Sequence, residues 1–189
     1  MKKLVSILAF STMLFVGATS SFAATHTVTK GETYWKISVK YGVPVNKVMA
    51  ANHAKSDYLM IGQQLTIPNS TISASDKDLL ARLVEAEAKG EPYAGKVAVA
   101  TVILNRVDSS IFPNTIRDVI YQSGQFTPVS NGTINNPASN ASKQAANEAL
   151  AFRGQGNGSL YFYNPKKTSN TWLRSKTVTK KIGNHVFAK

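Results

Sequence analysis

Residues 79–93 have the sequence LLARLVEAEAKGEPY. Within this segment Leu80, Leu83 and Val84 recur at the spacing that places side chains on one face of an amphipathic helix, and Glu87 falls on the same face. The pattern therefore predicts a helix that directs one carboxylate toward the apolar side on which the rest of the chain packs.

A carboxylate on an apolar face has two interpretations. Burial without a partner is costly and raises the pKa, and a raised pKa suits a general acid near neutral pH. In the alternative interpretation, Glu87 lies at the edge of the apolar face and pairs with Arg82 or Lys89. Glu85, on the other side of the helix, is predicted to face water. The pattern alone leaves both interpretations open.

The residues around this segment predict where its helices begin and end. Ser75 is a suitable N-cap for the first helix, Gly90 a suitable C-cap, and Pro92 a suitable start for the next helix. Residues 97–104, VAVATVIL, are apolar on nearly every side. This composition is typical of a helix at the centre of a core.

The overall composition restricts the chemistry. The 189 residues carry a formal charge of +12, include no cysteine and contain three histidines, His26, His53 and His185. The absence of cysteine excludes disulfides, thiolate metal sites and cysteine nucleophiles, and the scattered histidines form no zinc motif. We therefore expect neither a metal nor a cofactor. The positive charge favours a polyanionic partner: nucleic acid, anionic lipid, or a cell wall with phosphate and carboxylate polymers.

The N-terminus has the features of an export signal. Two lysines precede an apolar run, residues 4–16, that is too short to span a bilayer comfortably. Small residues at Ser21 and Ala23 fit cleavage before Ala24. We predict a signal peptide over residues 1–23, with a retained membrane anchor as the alternative. Export makes the cell wall the best of the three partners, so we expect a secreted, wall-associated protein with no nucleic acid partner and no stable membrane span.

Residues 25–68 are predicted to form a strand–helix–helix–strand unit. Thr33 is a plausible N-cap for its first helix, Gly42 ends that helix, and Pro44 begins the second. The whole unit resembles the LysM domain, a glycan-binding module. The matching residues are Thr27-Val28, Lys30-Gly31-Glu32-Thr33, Trp35-Lys36-Ile37-Ser38, Tyr41-Gly42-Val43, Asn52 and residues 61–68, IGQQLTIP. Tyr34 stands where this family more often has Leu.

The LysM resemblance implies binding of chains that contain N-acetylglucosamine, in a shallow groove between the first strand–helix loop and the second helix–strand loop. The implied contacts are Gly31, Glu32, Thr33, Asp57, Tyr58 and Ile61. Ordinary loop roles are the alternative for each of them. Residues 69–75 are small and polar, and we predict that this linker tethers the LysM unit to the rest of the chain without packing of one against the other.

Residues 76–189 are predicted to form a second domain that is helical at first and extended near its end. Residues 127–140 are rich in Pro, Asn, Gly and Ser and predict a long irregular loop, where functional groups often lie. Residues 160–165, LYFYNP, form an aromatic run. Residues 177–182 and 185–188 flank a Gly-Asn turn and predict a β-hairpin.

This second domain resembles the SleB/CwlJ-type cell-wall hydrolases, which lyse bacterial spore cortex. The matching blocks are residues 87–93, 95–100, 102–107, 124–126, 160–165 and 182–187, in the same order along the chain. In that family the carboxylate of the first block is the essential catalytic acid, which corresponds to Glu87. The resemblance implies an α+β chain: a small βααβ LysM module linked to a mainly helical, lysozyme-like or lytic-transglycosylase-like catalytic domain with a C-terminal β-hairpin.

The resemblance implies a secreted peptidoglycan-lytic enzyme that cleaves the β-1,4 bond between N-acetylmuramic acid and N-acetylglucosamine. A conventional glycosidase needs a second carboxylate, and the acids of residues 76–189 mostly lie at helix starts or on polar faces. We therefore favour a lytic transglycosylase, in which the muramic C6 hydroxyl attacks and Glu87 acts as acid and then as base. The alternatives are a hydrolytic muramidase and a non-catalytic binding protein of the wall or spore coat. Neither the oligomeric state nor the choice between cortex and vegetative wall follows from the sequence.

Other residues are candidates for substrate contacts. Gln125, Tyr163 and Asn164 are predicted to hydrogen-bond N-acetyl groups, and the rings of Phe126 and Trp172 to stack on sugars. Glu91 is either a second carboxylate of the site or a structural residue before a helix. Asn105 and Arg106 are predicted to brace the loop beneath the site, and His185 to hydrogen-bond within the hairpin.

Overall fold

The computed structural model describes residues 24–189. The predicted signal peptide, residues 1–23, lies outside the described residues. None of the helices in residues 24–189 combines the length and the apolar character that a membrane crossing requires. The described chain forms two units that follow one another in sequence.

The first unit has the predicted strand–helix–helix–strand order. Strand β1 (Ala24–Thr27) pairs with strand β2 (Gln64–Ile67) in antiparallel register, with Ala24 opposite Ile67. Helix α1 (Tyr34–Tyr41) and helix α2 (Val45–Ala51) pack beside them. The predicted caps are confirmed, because the Thr33 hydroxyl accepts a hydrogen bond from the Lys36 amide and Gly42 ends α1 at φ 59°.

The second unit contains six of the helices. They are α3 (Ala74–Ala88), α4 (Tyr93–Val107), α5 (Ile116–Tyr121), α6 (Thr127–Ser130), α7 (Asn140–Ala151) and α8 (Thr171–Arg174), with a 3₁₀ turn at Thr133–Asn135. Helix α4 lies at the centre of the core, as its apolar sequence predicts: Val99, Ala100, Val102 and Ile103 are fully buried. Residues 127–140 are predicted to be irregular, but they contain two short helical turns, α6 and the 3₁₀ turn at Thr133–Asn135.

The C-terminal hairpin is confirmed and belongs to a larger sheet. Strand β4 (Val178–Ile182) and strand β5 (His185–Ala188) form the hairpin, and strand β3 (Tyr161–Tyr163) pairs with the other edge of β5. The order is β3-β5-β4, with all pairs antiparallel. Phe187 on β5 is 2% exposed and joins the helical core, so the sheet is anchored to the helices.

Two details at the junction between the units differ from the predictions. Helix α3 begins earlier than expected, because the Ser73 hydroxyl, and not that of Ser75, accepts the hydrogen bond from the Asp76 amide. The first unit also packs against the second: α1 contacts α7, and the Lys77 ammonium of α3 donates to the Tyr41 carbonyl at 2.9 Å. The predicted loose tether is therefore wrong. Contacts between surfaces far apart in sequence, which local patterns do not report, hold the units together.

Gly42 provides a test of this packing. A Cβ at this residue would lie 2.8 Å from Oδ1 of Asn147 and 2.9 Å from Nζ of Lys77, and the backbone has positive φ. Replacing Gly42 with alanine is expected to lower the free energy of unfolding by about 2 kcal/mol, about half from left-handed backbone strain and about half from a weakened Lys77–Tyr41 hydrogen bond. Denaturant unfolding measures the change.

The matched control is Gly62→Ala. Gly62 also has positive φ, at 84°, but a Cβ there would meet nothing within 4 Å. This control is expected to lose only the backbone share, about 1 kcal/mol. Equal losses for the two variants would show that the contact between the units contributes nothing to stability.

Candidate active site

A groove of about 1170 Å³ crosses the second unit between the C-terminal end of α3, the segment before α6 and strand β3. It brings together most of the residues that the sequence predicts for the site. Those that line it are Glu87, Gln125, Phe126, Tyr163, Asn164 and Trp172. The groove is the right size for a chain of several small rings or residues.

Glu87 occupies the position where the apolar face of α3 meets this groove. Leu80, Leu83 and Val84 are fully buried in the core as predicted, whereas Glu87 is partly buried and lines the groove. Burial raises the pKa of Glu87, and the positive charge of Lys167 opposes part of this rise. Within residues 24–189 the Glu87 carboxylate has no hydrogen-bond or ion-pair partner.

The alternative interpretation of Glu87, a surface ion pair with Arg82 or Lys89, is wrong. Arg82 lies 2.9 Å from Asp78 through its Nε and donates from Nη1 to the Ile134 carbonyl. Lys89 is exposed and forms no ion pair with any residue of the described chain. Glu87 is therefore a half-buried acid that faces open space without a compensating charge in contact.

The helical pattern predicts that Glu85 faces water, and the structure shows that this prediction is wrong. Its Oε2 accepts hydrogen bonds from the hydroxyls of Ser139 and Ser142, and Lys96 lies 4.0 Å away. These hydrogen bonds, with Ser139 contributing most, lower the pKa of Glu85 to about 2. The reason is tertiary, since the start of α7 packs against this side of α3. Glu85 is thus an ionised residue that joins two helices.

The remaining acids of residues 76–189 are also engaged. Each has a hydrogen-bond or ion-pair partner: Asp76 with Ser73, Asp78 with Arg82, Glu91 with Asn184, Asp108 with Arg153, Asp118 with Thr115, and Glu148 with Tyr93. Glu87 therefore differs from every other carboxylate of this unit.

Glu91 is a structural residue, and the prediction that it contacts substrate is not supported by its position. It does not line the groove, and its two oxygens accept hydrogen bonds from the Asn184 backbone amide at 2.8 Å and side-chain amide at 3.1 Å. Burial would raise the pKa of Glu91, but the hydrogen bonds from Asn184, together with the charges of His185 and Lys167, lower it overall. A Cβ at Gly183 would collide with the Glu91 carboxylate and with Pro92, so this turn requires glycine.

Arg106 organises the wall of the groove opposite α3. It is 5% exposed, and its guanidinium donates to the Leu160 carbonyl at 2.8 Å and to the Gln125 side-chain oxygen at 3.1 Å. The guanidinium carbon also lies 4.8 Å from the ring centre of Phe112 and 5.5 Å from that of Phe126. The predicted bracing role is confirmed, and Gln125 is held in place by this contact.

The aromatic residues of the groove differ in what they offer a ligand. Phe126 is 6% exposed and stacks on Phe162 at 6.4 Å, so it is mainly a packing residue. Trp172 is 53% exposed and meets Tyr161 edge to face at 5.1 Å, with the Lys176 ammonium 4.0 Å from the indole centre. Trp172 is therefore the ring that a ligand can reach.

His185 and Lys167 complete the groove near Glu87. His185 is 8% exposed and lies edge to face with Phe162 at 5.4 Å, and its Nδ1 has no hydrogen-bond partner among residues 24–189. The predicted hydrogen-bonding role for His185 is therefore not found. Burial lowers the pKa of His185, which favours the neutral ring. Sequence reasoning missed Lys167, because nothing in its local pattern separates it from the adjacent exposed Lys166.

The predicted glycan contacts of the LysM unit fall into two groups. Glu32 binds the Thr29 amide and the His26 ring, each at 2.8 Å, and these contacts lower its pKa to about 2; Thr33 caps α1. These two side chains are therefore occupied within the unit. Tyr58 and Ile61 are 76% and 71% exposed, Asp57 and Gly31 are also exposed, and Met60 adds a further exposed side chain. The exposed group remains available to a ligand.

Residues 24–189 contain no group of three or more acidic, histidine or cysteine side chains arranged to hold a metal ion.

Comparison with known proteins gives matches over both units. The family described as Cell Wall Hydrolase matches residues 90–188, and the LysM domain matches residues 26–68. The cell wall hydrolase match begins after Glu87 and therefore does not include it.

Several individual proteins are similar to this chain. A spore cortex-lytic enzyme of Bacillus cereus is 36% identical over 160 residues, which cover 85% of this chain and 61% of that protein. The spore cortex-lytic enzyme of Bacillus subtilis is 38% identical over 115 residues, covering 61% of this chain and 38% of that protein. The chain thus spans less than two thirds of the length of these relatives.

A solved structure, the catalytic domain of the germination-specific lytic transglycosylase SleB from Bacillus anthracis, matches with a TM-score of 0.60 and 40% identity. The match covers 65% of this chain and 100% of that one.

Proposed function

This chain belongs to the cell wall hydrolase family, and from that premise we propose that it is a secreted peptidoglycan-lytic enzyme with Glu87 as its general acid and base. The bond cleaved is the β-1,4 bond between N-acetylmuramic acid and N-acetylglucosamine. The observation that carries the proposal is the state of Glu87: it is the acid of residues 76–189 without a partner, it lines the large groove, and burial raises its pKa. A raised pKa increases the fraction of a carboxyl group that carries its proton at a given pH, and a protonated carboxyl can protonate a leaving oxygen.

The mechanism follows from one carboxyl group. Glu87 donates its proton to the glycosidic oxygen, the bond from that oxygen to C1 of the muramic sugar breaks, and positive charge develops at C1. The C6 hydroxyl of the same sugar then attacks C1 and gives its proton to the Glu87 carboxylate. The products are a 1,6-anhydromuramic end and a glucosamine hydroxyl, and Glu87 is again protonated.

Hydrolysis by water is the competing outcome, and it requires a second carboxylate. Glu85 is the other acid that lines the groove, but it precedes Glu87 by two residues and so lies on a different side of α3. Its Oε2 already accepts hydrogen bonds from Ser139 and Ser142. This arrangement supports transglycosylation over hydrolysis.

The contacts proposed for the glycan come from both units. In the groove, Gln125, Tyr163 and Asn164 present polar groups for N-acetyl substituents, and Trp172 presents an exposed ring. In the LysM unit, the exposed Tyr58 and Ile61 present an apolar surface suited to the C–H faces of sugars. With the signal expected in residues 1–23, these contacts support a wall-associated protein, with spore cortex or spore coat as a possible site.

Product analysis tests the proposed function. Purified vegetative peptidoglycan and spore cortex are each digested with the protein, and the released fragments are identified by mass spectrometry. We expect 1,6-anhydro-muropeptides. Reducing-end muropeptides would instead indicate a hydrolytic muramidase, and the absence of fragments from both substrates would indicate a non-catalytic binding protein.

The pH dependence of fragment release tests the general-acid role. Lys167 lowers the pKa of Glu87, so Lys167→Gln is expected to raise it further. Because the rate requires the protonated acid, it falls as pH rises through this pKa, and the falling limb should move to higher pH in the variant. The profile is measured at low ionic strength, where an exposed charge is least screened.

The control for this experiment is Lys166→Gln, which removes the same charge from the adjacent exposed residue. Lys166 does not line the groove, and its profile should match that of the unmodified protein. A shift to lower pH in Lys167→Gln, or equal shifts in both variants, would contradict the role of Lys167.

A further inference from the structure

A second cavity, of about 490 Å³, lies between the LysM unit and helix α7. We call it the interdomain cleft. Its walls are Trp35, Lys36, Val39 and Lys40 from α1 and Lys143, Gln144, Asn147 and Glu148 from α7. It shares no lining residue with the groove around Glu87. Because each unit supplies one wall, the interdomain cleft exists only when the two units pack together.

Contacts beside the interdomain cleft hold its two walls at a defined separation. The Lys77 ammonium donates to the Tyr41 carbonyl at the end of α1, and Trp35 meets Phe152 edge to face at 6.2 Å. The close approach of Asn147 to Gly42 adds a third point of contact. The interdomain cleft is therefore a feature of the packed interface.

The charge of the interdomain cleft is positive. It contains three lysines, none of which forms an ion pair with a residue of the described chain. Lys36 donates to the Gly31 carbonyl at 2.7 Å, and the Lys40 ammonium lies 5.8 Å from the ring centre of Tyr41. The ammonium groups of Lys40 and Lys143, one from each wall, donate no hydrogen bond to a residue of the described chain. The single acid, Glu148, accepts a hydrogen bond from the Tyr93 hydroxyl at 2.7 Å. This arrangement attracts an anion.

The neutral residues of the interdomain cleft suit a sugar ring. Trp35 is 36% exposed, and an indole ring can pack against the apolar C–H face of a sugar. Gln144 and Asn147 offer amide donors and acceptors for hydroxyl or N-acetyl groups. We propose that the interdomain cleft is a second binding site, which takes a wall sugar that carries an anionic substituent between Lys40 and Lys143.

One wall sugar has this chemistry: the muramic acid of peptidoglycan carries a carboxylate. A polymer of glycerol phosphate has the negative charge but no sugar ring, and it serves as a comparison. The site would hold the enzyme on the wall while the groove acts elsewhere on the glycan. Binding at the interdomain cleft can be tested separately from catalysis at Glu87, because it can be measured with ligands that are not cleaved.

Tryptophan fluorescence tests the proposal, because the chain contains two tryptophans, Trp35 and Trp172. In a Trp172→Phe background the emission reports Trp35 alone. The first probe is the disaccharide in which N-acetylglucosamine is β-1,4-linked to O4 of N-acetylmuramic acid, which lacks the bond that the enzyme would cleave. Neutral diacetylchitobiose is the matched probe without charge, and glycerol phosphate oligomers are anionic probes without a sugar ring.

We expect saturable changes in Trp35 emission with the anionic disaccharide, and binding that is at least fivefold weaker for diacetylchitobiose and for the glycerol phosphate oligomers. Lys40→Gln and Lys143→Gln should each weaken binding of the anionic disaccharide about two- to fivefold. Lys180→Gln removes the same charge from an exposed residue of β4 and should leave the affinity unchanged.

The proposal is overturned if the anionic disaccharide leaves Trp35 emission unchanged, or if the neutral disaccharide or the glycerol phosphate oligomers bind equally well. Equal weakening by Lys180→Gln and Lys143→Gln would also overturn it, because net charge alone would then explain the binding.

Discussion

Replacing Glu87 with glutamine is expected to lower the rate of fragment release from peptidoglycan by about 10³-fold. The amide has nearly the same size as the carboxyl group but cannot donate an acidic proton to the glycosidic oxygen or accept the proton of the C6 hydroxyl. The loss should appear in kcat, because the substitution leaves the shape of the groove unchanged. Turbidity loss of purified peptidoglycan and quantification of soluble muropeptides measure the effect.

Glu85→Gln is the matched comparison, because it makes the same chemical change two residues away on the same helix. Glu85 is ionised and holds Ser139 and Ser142 at the start of α7, so this variant should lose stability and less than tenfold of its activity. Comparable loss in both variants, with both folded by circular dichroism, would favour a two-carboxylate hydrolase. Retention of more than about a tenth of the rate by Glu87→Gln would remove Glu87 from the mechanism.

Replacing Arg106 with alanine is expected to lower the free energy of unfolding by about 3 kcal/mol. The variant loses charged hydrogen bonds to the Leu160 carbonyl and to Gln125, and it leaves a void among the rings of Phe112, Phe126 and Tyr161. Removal of a buried charge offsets part of this loss. Equilibrium unfolding in urea measures the change.

Arg153→Ala is the control for this prediction. Arg153 also binds through its guanidinium, but its partner Asp108 is about half exposed, so the expected loss is below about 1 kcal/mol. Similar losses in the two arginine variants would show that the interactions of Arg106 contribute no more than a surface ion pair.

Much of the fold follows from short-range patterns. The caps at Thr33 and Thr115, the turn at Gly42 and the hairpin around residues 183–184 each depend on residues within a few positions of one another. Such features are predictable because the interacting groups are close in sequence. The third strand, Tyr161–Tyr163, was not predicted to pair with the hairpin, because its partner β5 lies more than twenty residues further along the chain.

The candidate site was predictable in part for the same reason. Glu87 was identified from its place on the apolar face of one helix together with the resemblance to cell-wall hydrolases, and Gln125, Tyr163, Asn164 and Trp172 do line the same groove. The prediction for Glu85 was wrong and the role of Glu91 stayed open, because the groups that bind them, Ser139, Ser142 and Asn184, are more than fifty residues away. Lys167 was missed because only its position across the groove makes it a neighbour of Glu87.

The sequence by itself determined the two units and most of their helices and strands, and it placed Glu87 on the apolar face of a helix, since these features depend on periodicity and on local hydrogen bonds. Only the tertiary structure decided which carboxylates are engaged and which one is left without a partner. It also decided that the LysM unit packs against α7 and so encloses a second, positively charged cavity. The physical reason is that burial and electrostatic environment depend on which distant surfaces meet, and a pattern within one helix carries no information about its neighbours.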